Sequence, residues 1–206
     1  MLRTKLLATV AALAVITGAS AAMAGNSATI SQSNSGGSDQ SNVANVTQVN
    51  KGGGSNTADI TQKNADGKNQ SNEANVKQVN LGGTGDQSND LKLKQVNKDG
   101  ENQSNKADVK QVNKGGKDQK NTADIKQINK DGKKQSNDLK LKQVNKDGKD
   151  QKNVADVRQI NKDGKDQSNS ADITQKNKFG MGQKNDLMLK QKNKAPAPIM
   201  VLMRAK

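Results

Sequence analysis

One phrase recurs eleven times between Asn26 and Gln191, and it leaves few folds open to the chain. The phrase is Asn-x-(Ala or Leu)-x-(Val, Ile or Leu)-x-Gln. Its closing Gln stands at Gln32, Gln48, Gln62, Gln78, Gln95, Gln111, Gln127, Gln143, Gln159, Gln175 and Gln191. Every step has the same length except a short one from Gln48 to Gln62 and a long one from Gln78 to Gln95. A fixed short period marks an array of one structural unit. Function then belongs to the array and not to a single pocket.

Within each copy the apolar residues alternate with polar ones. Gln40, Asn42, Ala44, Val46, Gln48 and Asn50 form one set, and Ser41, Val43, Asn45, Thr47 and Val49 the other. Side chains alternate across a strand, so each set shares one face. In Gln87 to Asn97 the first set is Gln87, Asn89, Leu91, Leu93, Gln95 and Asn97, while the second carries Asp90, Lys92 and Lys94. This is period-two amphipathicity, and on a helix the apolar pair at i and i+2 would point apart. The inward ladder is expected at Asn42, Ala44, Val46 and Gln48; at Asn72, Ala74, Val76 and Gln78; and at Asn105, Ala107, Val109 and Gln111. It continues at Asn121, Ala123, Ile125 and Gln127 and at Asn153, Ala155, Val157 and Gln159.

Lys98-Asp99-Gly100, Lys130-Asp131-Gly132, Lys146-Asp147-Gly148 and Lys162-Asp163-Gly164 read as turns, as do Gly52-Gly53, Gly82-Gly83 and Gly115-Gly116. Asp-Gly and Gly-Gly are expected to supply the positive φ of a tight reversal. One strand cannot bury its apolar face alone, but a stack can, with each aliphatic residue over its equivalent and each amide over its own kind. Stacked amides satisfy one another without charge. The expected fold class is all-β: a β-solenoid or cross-β stack of about eleven 16-residue strand-turn repeats. Two repeats are expected to form one layer of about 32 residues. The Asp-Leu-x-Leu-Lys variants at Asp90 to Lys94, Asp138 to Lys142 and Asp186 to Lys190 fall in every third repeat. Duplication of a three-repeat block explains them, and a three-sided coil is the alternative.

Composition alone would argue for disorder, because the chain is polar, carries a net charge of +14 and has Phe179 as its only aromatic. The regular placement of its few apolar residues argues the other way. Residues 1–24 read as a signal peptide: Arg3 and Lys5, the apolar run Leu6 to Ile16, then Ala22-Met23-Ala24 before a cut at Gly25. The run is short for a membrane span of roughly 20 residues. Removing Arg3 and Lys5 with the leader lowers the net charge from +14 to +12. The expected organisation is a leader over 1–24, a repeat array over 25–193 and a tail over 194–206. In the tail, Ala195-Pro-Ala-Pro198 ends the array, and Ile199 to Met203 is a candidate cap or docking segment.

The Asn-x-Ala-x-x-x-Gln core resembles the second half of the curlin repeat, Ser-x5-Gln-x-Gly-x-x-Asn-x-Ala-x3-Gln. Asn42, Ala44 and Gln48 match it, as do Asn72, Ala74 and Gln78 and Asn153, Ala155 and Gln159. The resemblance implies a subunit of curli-type extracellular amyloid fibres, secreted to the cell surface, acting in adhesion and the biofilm matrix. Its partners would be itself or related curlin subunits. Three features depart from the family: the repeat here is shorter and holds one strand, the first-half Ser is not recognisable, and the chain is poor in aromatics and carries Lys at nearly every turn.

Nothing in the sequence looks catalytic, and no cofactor or metal is expected. There is no His or Cys, and the abundant Ser residues have no activating base. Asp108, Asp124, Asp156 and Asp172 read as solvated surface charge. Gly82 to Asp86 matches the calcium β-roll motif only once. Lys92, Lys94, Lys110, Lys126, Lys140, Lys142 and Arg158 fall in the outward phase and are expected to stack into a cationic stripe that attracts polyanions. This supports an alternative, a monomeric basic β-solenoid acting as an adhesin or binder of extracellular DNA or acidic polysaccharide. Without aromatic platforms, sequence-selective nucleic-acid binding is not expected.

Overall fold

Strict alternation, interrupted once per repeat by a turn, folds into strands linked by short arcs. A computed structural model describes the backbone of residues 7–19 and 24, and residues 25–51, 54–83, 85–164, 166–180 and 182–194. Its strands are β1 (Leu7–Ala19), β2 (Ala24–Ser35), β3 (Asp39–Lys51), β4 (Gly54–Ala65), β5 (Asn69–Leu81) and β6 (Gln87–Lys98). They continue with β7 (Asn102–Lys114), β8 (Asp118–Lys130), β9 (Lys134–Lys146), β10 (Asp150–Lys162), β11 (Asp166–Lys178) and β12 (Gly182–Lys194). Odd strands form one sheet in the order β1-β3-β5-β7-β9-β11, and even strands form the other in the order β12-β10-β8-β6-β4-β2. Every pair within a sheet is parallel. The chain is therefore a two-sided parallel β-solenoid, with two repeats per coil. The three-sided coil is excluded. Its Leu variants fall on β6, β9 and β12, in alternating sheets, so they do not stack.

Register is in phase throughout. Number each repeat strand so that its closing Gln is position 10. Position 4 is then Asn in every repeat strand, position 6 is Ala or Leu, position 8 is Val, Ile or Leu, and position 12 is Asn. A one-residue slip would turn this entire set outward, so the pattern fixes the register. The two irregular steps, Gln48 to Gln62 and Gln78 to Gln95, are absorbed in the arcs, because the paired strands remain in phase across them.

β1 lies on the segment read as a leader. Its backbone pairs with β3 from Leu7↔Asp39 to Ala19↔Lys51. That places Val10, Ile16 and Gly18 in line with Asn42, Gln48 and Asn50, so this strand has the repeat's register without its amides. Residues 1–6 and 20–23, which include the proposed cleavage residues Ala22 and Met23, lie outside the described residues. So do Ala195 to Pro198 and Ile199 to Met203.

The arcs place the positive φ within the Asp-Gly and Gly-Gly pairs and divide it between the two residue types. In the Lys-Asp-Gly turns the positive φ falls on Asp, at Asp99 (57°), Asp131 (57°), Asp147 (61°) and Asp163 (58°). Asp tolerates this left-handed region better than most residues. Glycine follows for another reason: the layer beneath fills its Cβ space. A Cβ on Gly132 would lie 2.8 Å from the Gly100 carbonyl oxygen and 2.9 Å from Gln103 Cδ. In the Gly-Gly arcs the glycines do carry the positive φ, at Gly36, Gly37, Gly82, Gly83, Gly115 and Gly116.

Candidate functional site

Every buried polar side chain among the described residues is Asn or Gln. All twenty ladder residues named from the sequence lie inside, from Asn42, Ala44, Val46 and Gln48 to Asn153, Ala155, Val157 and Gln159. A central strip of Ala, Val, Ile and Leu at positions 6 and 8 runs up the axis. Asn at position 12 of one strand meets Asn at position 4 of the facing sheet. Asn64 Nδ2 donates to Asn72 Oδ1 at 3.1 Å, Asn72 Nδ2 to Asn97 Oδ1 at 2.9 Å, and Asn97 Nδ2 to Asn105 Oδ1 at 3.1 Å. The zigzag stitches the sheets together along one corner, and Asn80, Asn89, Asn113 and Asn121 do the same along the other.

The two amide types point opposite ways along the axis. Asn105 donates to Asn137 in the layer nearer the C-terminus, at 2.9 Å. Gln111 donates to Gln78 in the layer nearer the N-terminus, at 2.9 Å, and Gln143 to Gln111 at 2.8 Å. Backbone carbonyls of the facing strand fix these orientations: Gln111 Nε2 also reaches Thr122 O at 2.7 Å, and Asn113 Nδ2 reaches Lys120 O at 3.0 Å. Each amide thus has defined donor and acceptor ends.

Position 2 holds a further set of Gln that the sequence reading did not single out as a site. Gln119 Nε2 bonds the arc carbonyls of Gly115 at 2.7 Å and Lys146 at 2.8 Å, tying each arc to the one above it. The Oε1 atoms of Gln40, Gln87, Gln119 and Gln151 are buried without a hydrogen-bond partner. They are exceptions in an interior where amides are otherwise paired.

The outer faces redistribute the basic residues. The expected single stripe is two columns, because successive repeats alternate between sheets. Lys110 and Lys142 stand at position 9 of the odd sheet, and Lys94, Lys126 and Arg158 at position 9 of the even sheet. Lys92 and Lys140 stand at position 7 instead, where their neighbours are Asp59 and Asp124, and Asp108 and Asp172. Arg158 pairs with Asp156 at 3.1 Å. Lys77, Lys94, Lys110, Lys126 and Lys142 make no ion pair among the described residues.

A second outward column went unread in the sequence. Position 11, between the Gln and Asn of each Gln-Val-Asn or Gln-Ile-Asn triplet, holds Val49, Val79, Val112 and Val144 on one face and Val96, Ile128 and Ile160 on the other. These residues are half-buried except Val79, which is more deeply covered.

Among the described residues, no further layer covers β11 and β12. Leu187 and Leu189 of β12, at positions 6 and 8, are 51 % and 44 % exposed, whereas their equivalents Ala155 and Val157 in the layer below are 1 % and 0 %. Asn169, Asn177, Asn185 and Asn193 accept from the layer below. Their donors face no further layer among the described residues. No family model matches this chain, and no curated protein or solved structure matches it either.

Proposed function

We propose that the mature chain is a secreted, non-enzymatic, curlin-like structural subunit that stacks end to end into cell-surface fibres serving adhesion and the biofilm matrix. The last described layer, β11 and β12, carries this reading. It exposes two strand edges, uncovered leucines and aligned amides, and the face that would cover it is a further layer of the same pattern. Such an edge is a template for another chain. In this reading the leader is cut before Gly25. That removes β1 and frees the edge of β3, so that β2 and β3 of one molecule can settle on β12 and β11 of the next. The contact is heterologous and does not close, so it builds a filament.

The side chains support the joint. At positions 9, 11 and 13 of β12 stand Lys190, Lys192 and Lys194, and the incoming β2 would bring Ser31, Ser33 and Ser35. In that half of the joint no lysine is stacked on lysine, whereas in the β11–β3 half Lys178 would meet Lys51. The test is electron microscopy and fibre diffraction of the chain from Gly25. Unbranched fibres with a repeat of about 4.7–4.8 Å along the axis are expected. A chain that stays monomeric at every concentration, with a full β spectrum, would overturn the fibre and leave the second reading. That reading is an isolated basic solenoid acting as an adhesin, and the unpaired lysine columns favour it.

A further inference from the structure

The acids on the strands are sorted by position. From β2 to β12 every strand Asp or Glu stands at position 1, 5 or 7, and none at 9, 11 or 13. Because the strands are parallel and in register, this sorting becomes an acid-free strip along each outer face. From β6 to β10 its middle row is aliphatic, with Val96, Ile128 and Ile160 on the even sheet, while Lys63 and Lys192 hold the same position in β4 and β12. One border is the position 9 column, whose Lys94 and Lys126 make no ion pair among the described residues. The other is position 13, where Lys98, Lys130 and Lys162 lie beside the turn carboxylates of Asp99, Asp131 and Asp163 at 3.3, 3.3 and 3.5 Å. Positions 9 to 13 span roughly 13 Å, and the rows repeat about every 4.8 Å along the axis.

We propose that each strip binds one linear acidic polysaccharide along the axis. The apolar faces of its sugar rings would lie on the aliphatic row, and its carboxylates would meet the lysines on either side. Charge complementarity selects an anion, and the aliphatic row selects one with an apolar edge. Duplex DNA presents its phosphates without such an edge, and no aromatic platform is available for bases. A flat anionic lipid surface would also press on Asp124 and Asp156 at position 7. A second copy of the chain would bring lysines against lysines. The strip is complete within one molecule, so the proposal does not depend on the fibre.

The experiment measures binding of the chain from Gly25 to polygalacturonate at low salt. The controls are its methyl ester, duplex DNA and phosphatidylglycerol vesicles. One variant is V79T/V112T/V144T/V96T/I128T/I160T, which keeps the β-branch at each site. The other is K94Q/K110Q/K126Q/K142Q, which alters only outward side chains. Polygalacturonate is expected to bind most tightly, to lose about tenfold in each variant and to weaken steeply with salt. The ester should bind at least tenfold more weakly, and the Thr variant should leave DNA binding unchanged. Unchanged polygalacturonate binding in the Lys-to-Gln variant would overturn the proposal. So would an unchanged affinity in a Thr variant that keeps its β spectrum, which would make the aliphatic row structural only. DNA or vesicles binding as tightly as polygalacturonate would overturn it as well.

Discussion

The first layers of the array and the later ones share an interior but not an exterior. Residues 25–65 hold Lys51 and Lys63 against Asp39 and Asp59, a net charge of zero. Residues 66–194 hold 28 Lys and Arg against 18 Asp and Glu, a net charge of +10. Yet Asn42, Ala44, Val46 and Gln48 near one end are buried in the same way as Asn153, Ala155, Val157 and Gln159 near the other. The stack therefore constrains what points inward and leaves the outer columns free to vary. Charge can be placed along the axis without altering the fold.

The largest expected effect tests that independence. Val109→Lys would leave an unpaired ammonium in a column whose neighbours are Val76 and Leu141. Burying such a charge costs several kcal/mol. Val43→Lys, half-exposed in the outward phase of β3, should cost on the order of 0.5 kcal/mol or less. Denaturant titration followed by circular dichroism compares them, and similar losses at both sites would mean that inside and outside are not separable.

The arcs come next. Gly132→Ala must displace the Gly100 carbonyl or the Gln103 side chain. It should lose about 1–3 kcal/mol, as overpacked sites do. Asp131→Gly removes the ion pair with Lys130 but relieves a positive φ, so its net effect should be smaller. Equal losses would return the glycine to a purely conformational role.

Much of this was legible in the residues. Period-two alternation identified the strand, and the recurrence of Asn, Ala, Val and Gln at one phase identified the inward face. Other features follow from where consecutive repeats go, which a linear pattern does not state. Lys94 and Lys110 are one period apart yet lie on opposite faces. Lys92, just before Lys94 in the same outward phase, joins a column that holds Asp59 and Asp124. The role of Gly132 depends on Gly100 and Gln103, which lie a whole coil earlier in the chain. The aliphatic row at position 11 was visible as Gln-Val-Asn and Gln-Ile-Asn. Its meaning appears only when parallel pairing lines those triplets up.

The charge difference between the ends gives a kinetic prediction. Ser31→Lys, Ser33→Lys and Ser35→Lys together would put lysines over Lys190, Lys192 and Lys194 at the proposed joint. Elongation from seeds should slow about tenfold at low salt, equivalent to about 1.4 kcal/mol, and recover as salt screens the repulsion. The β spectrum of the monomer should not change. An unaltered elongation rate at low salt would mean that β2 does not meet β12.

The smallest expected effect concerns ion pairing, which is also unequal along the axis. Each ion pair among the described residues lies at Glu73 or later. Glu101 illustrates the consequence. Lys133 Nζ donates to its Oε1 at 3.0 Å, and this hydrogen bond, followed by the charges of Lys133 and Lys68, holds the carboxyl below its ordinary value. A depressed carboxylate contributes stability that is present above the unfolded pKa, about 4.3, and is lost as pH falls through the folded value. The pair is exposed, so the contribution is small. Parent and Glu101→Gln should therefore differ slightly in thermal midpoint near pH 6 and converge as pH falls through the carboxylate range. Amide hydrogen exchange refines the comparison: protection in β7 and β9, which flank this pair, should respond to the substitution, whereas protection in β3 should not. A response of equal size in β3 would mean that surface charge is felt along the whole stack, and that the neutral and basic layers do not behave independently.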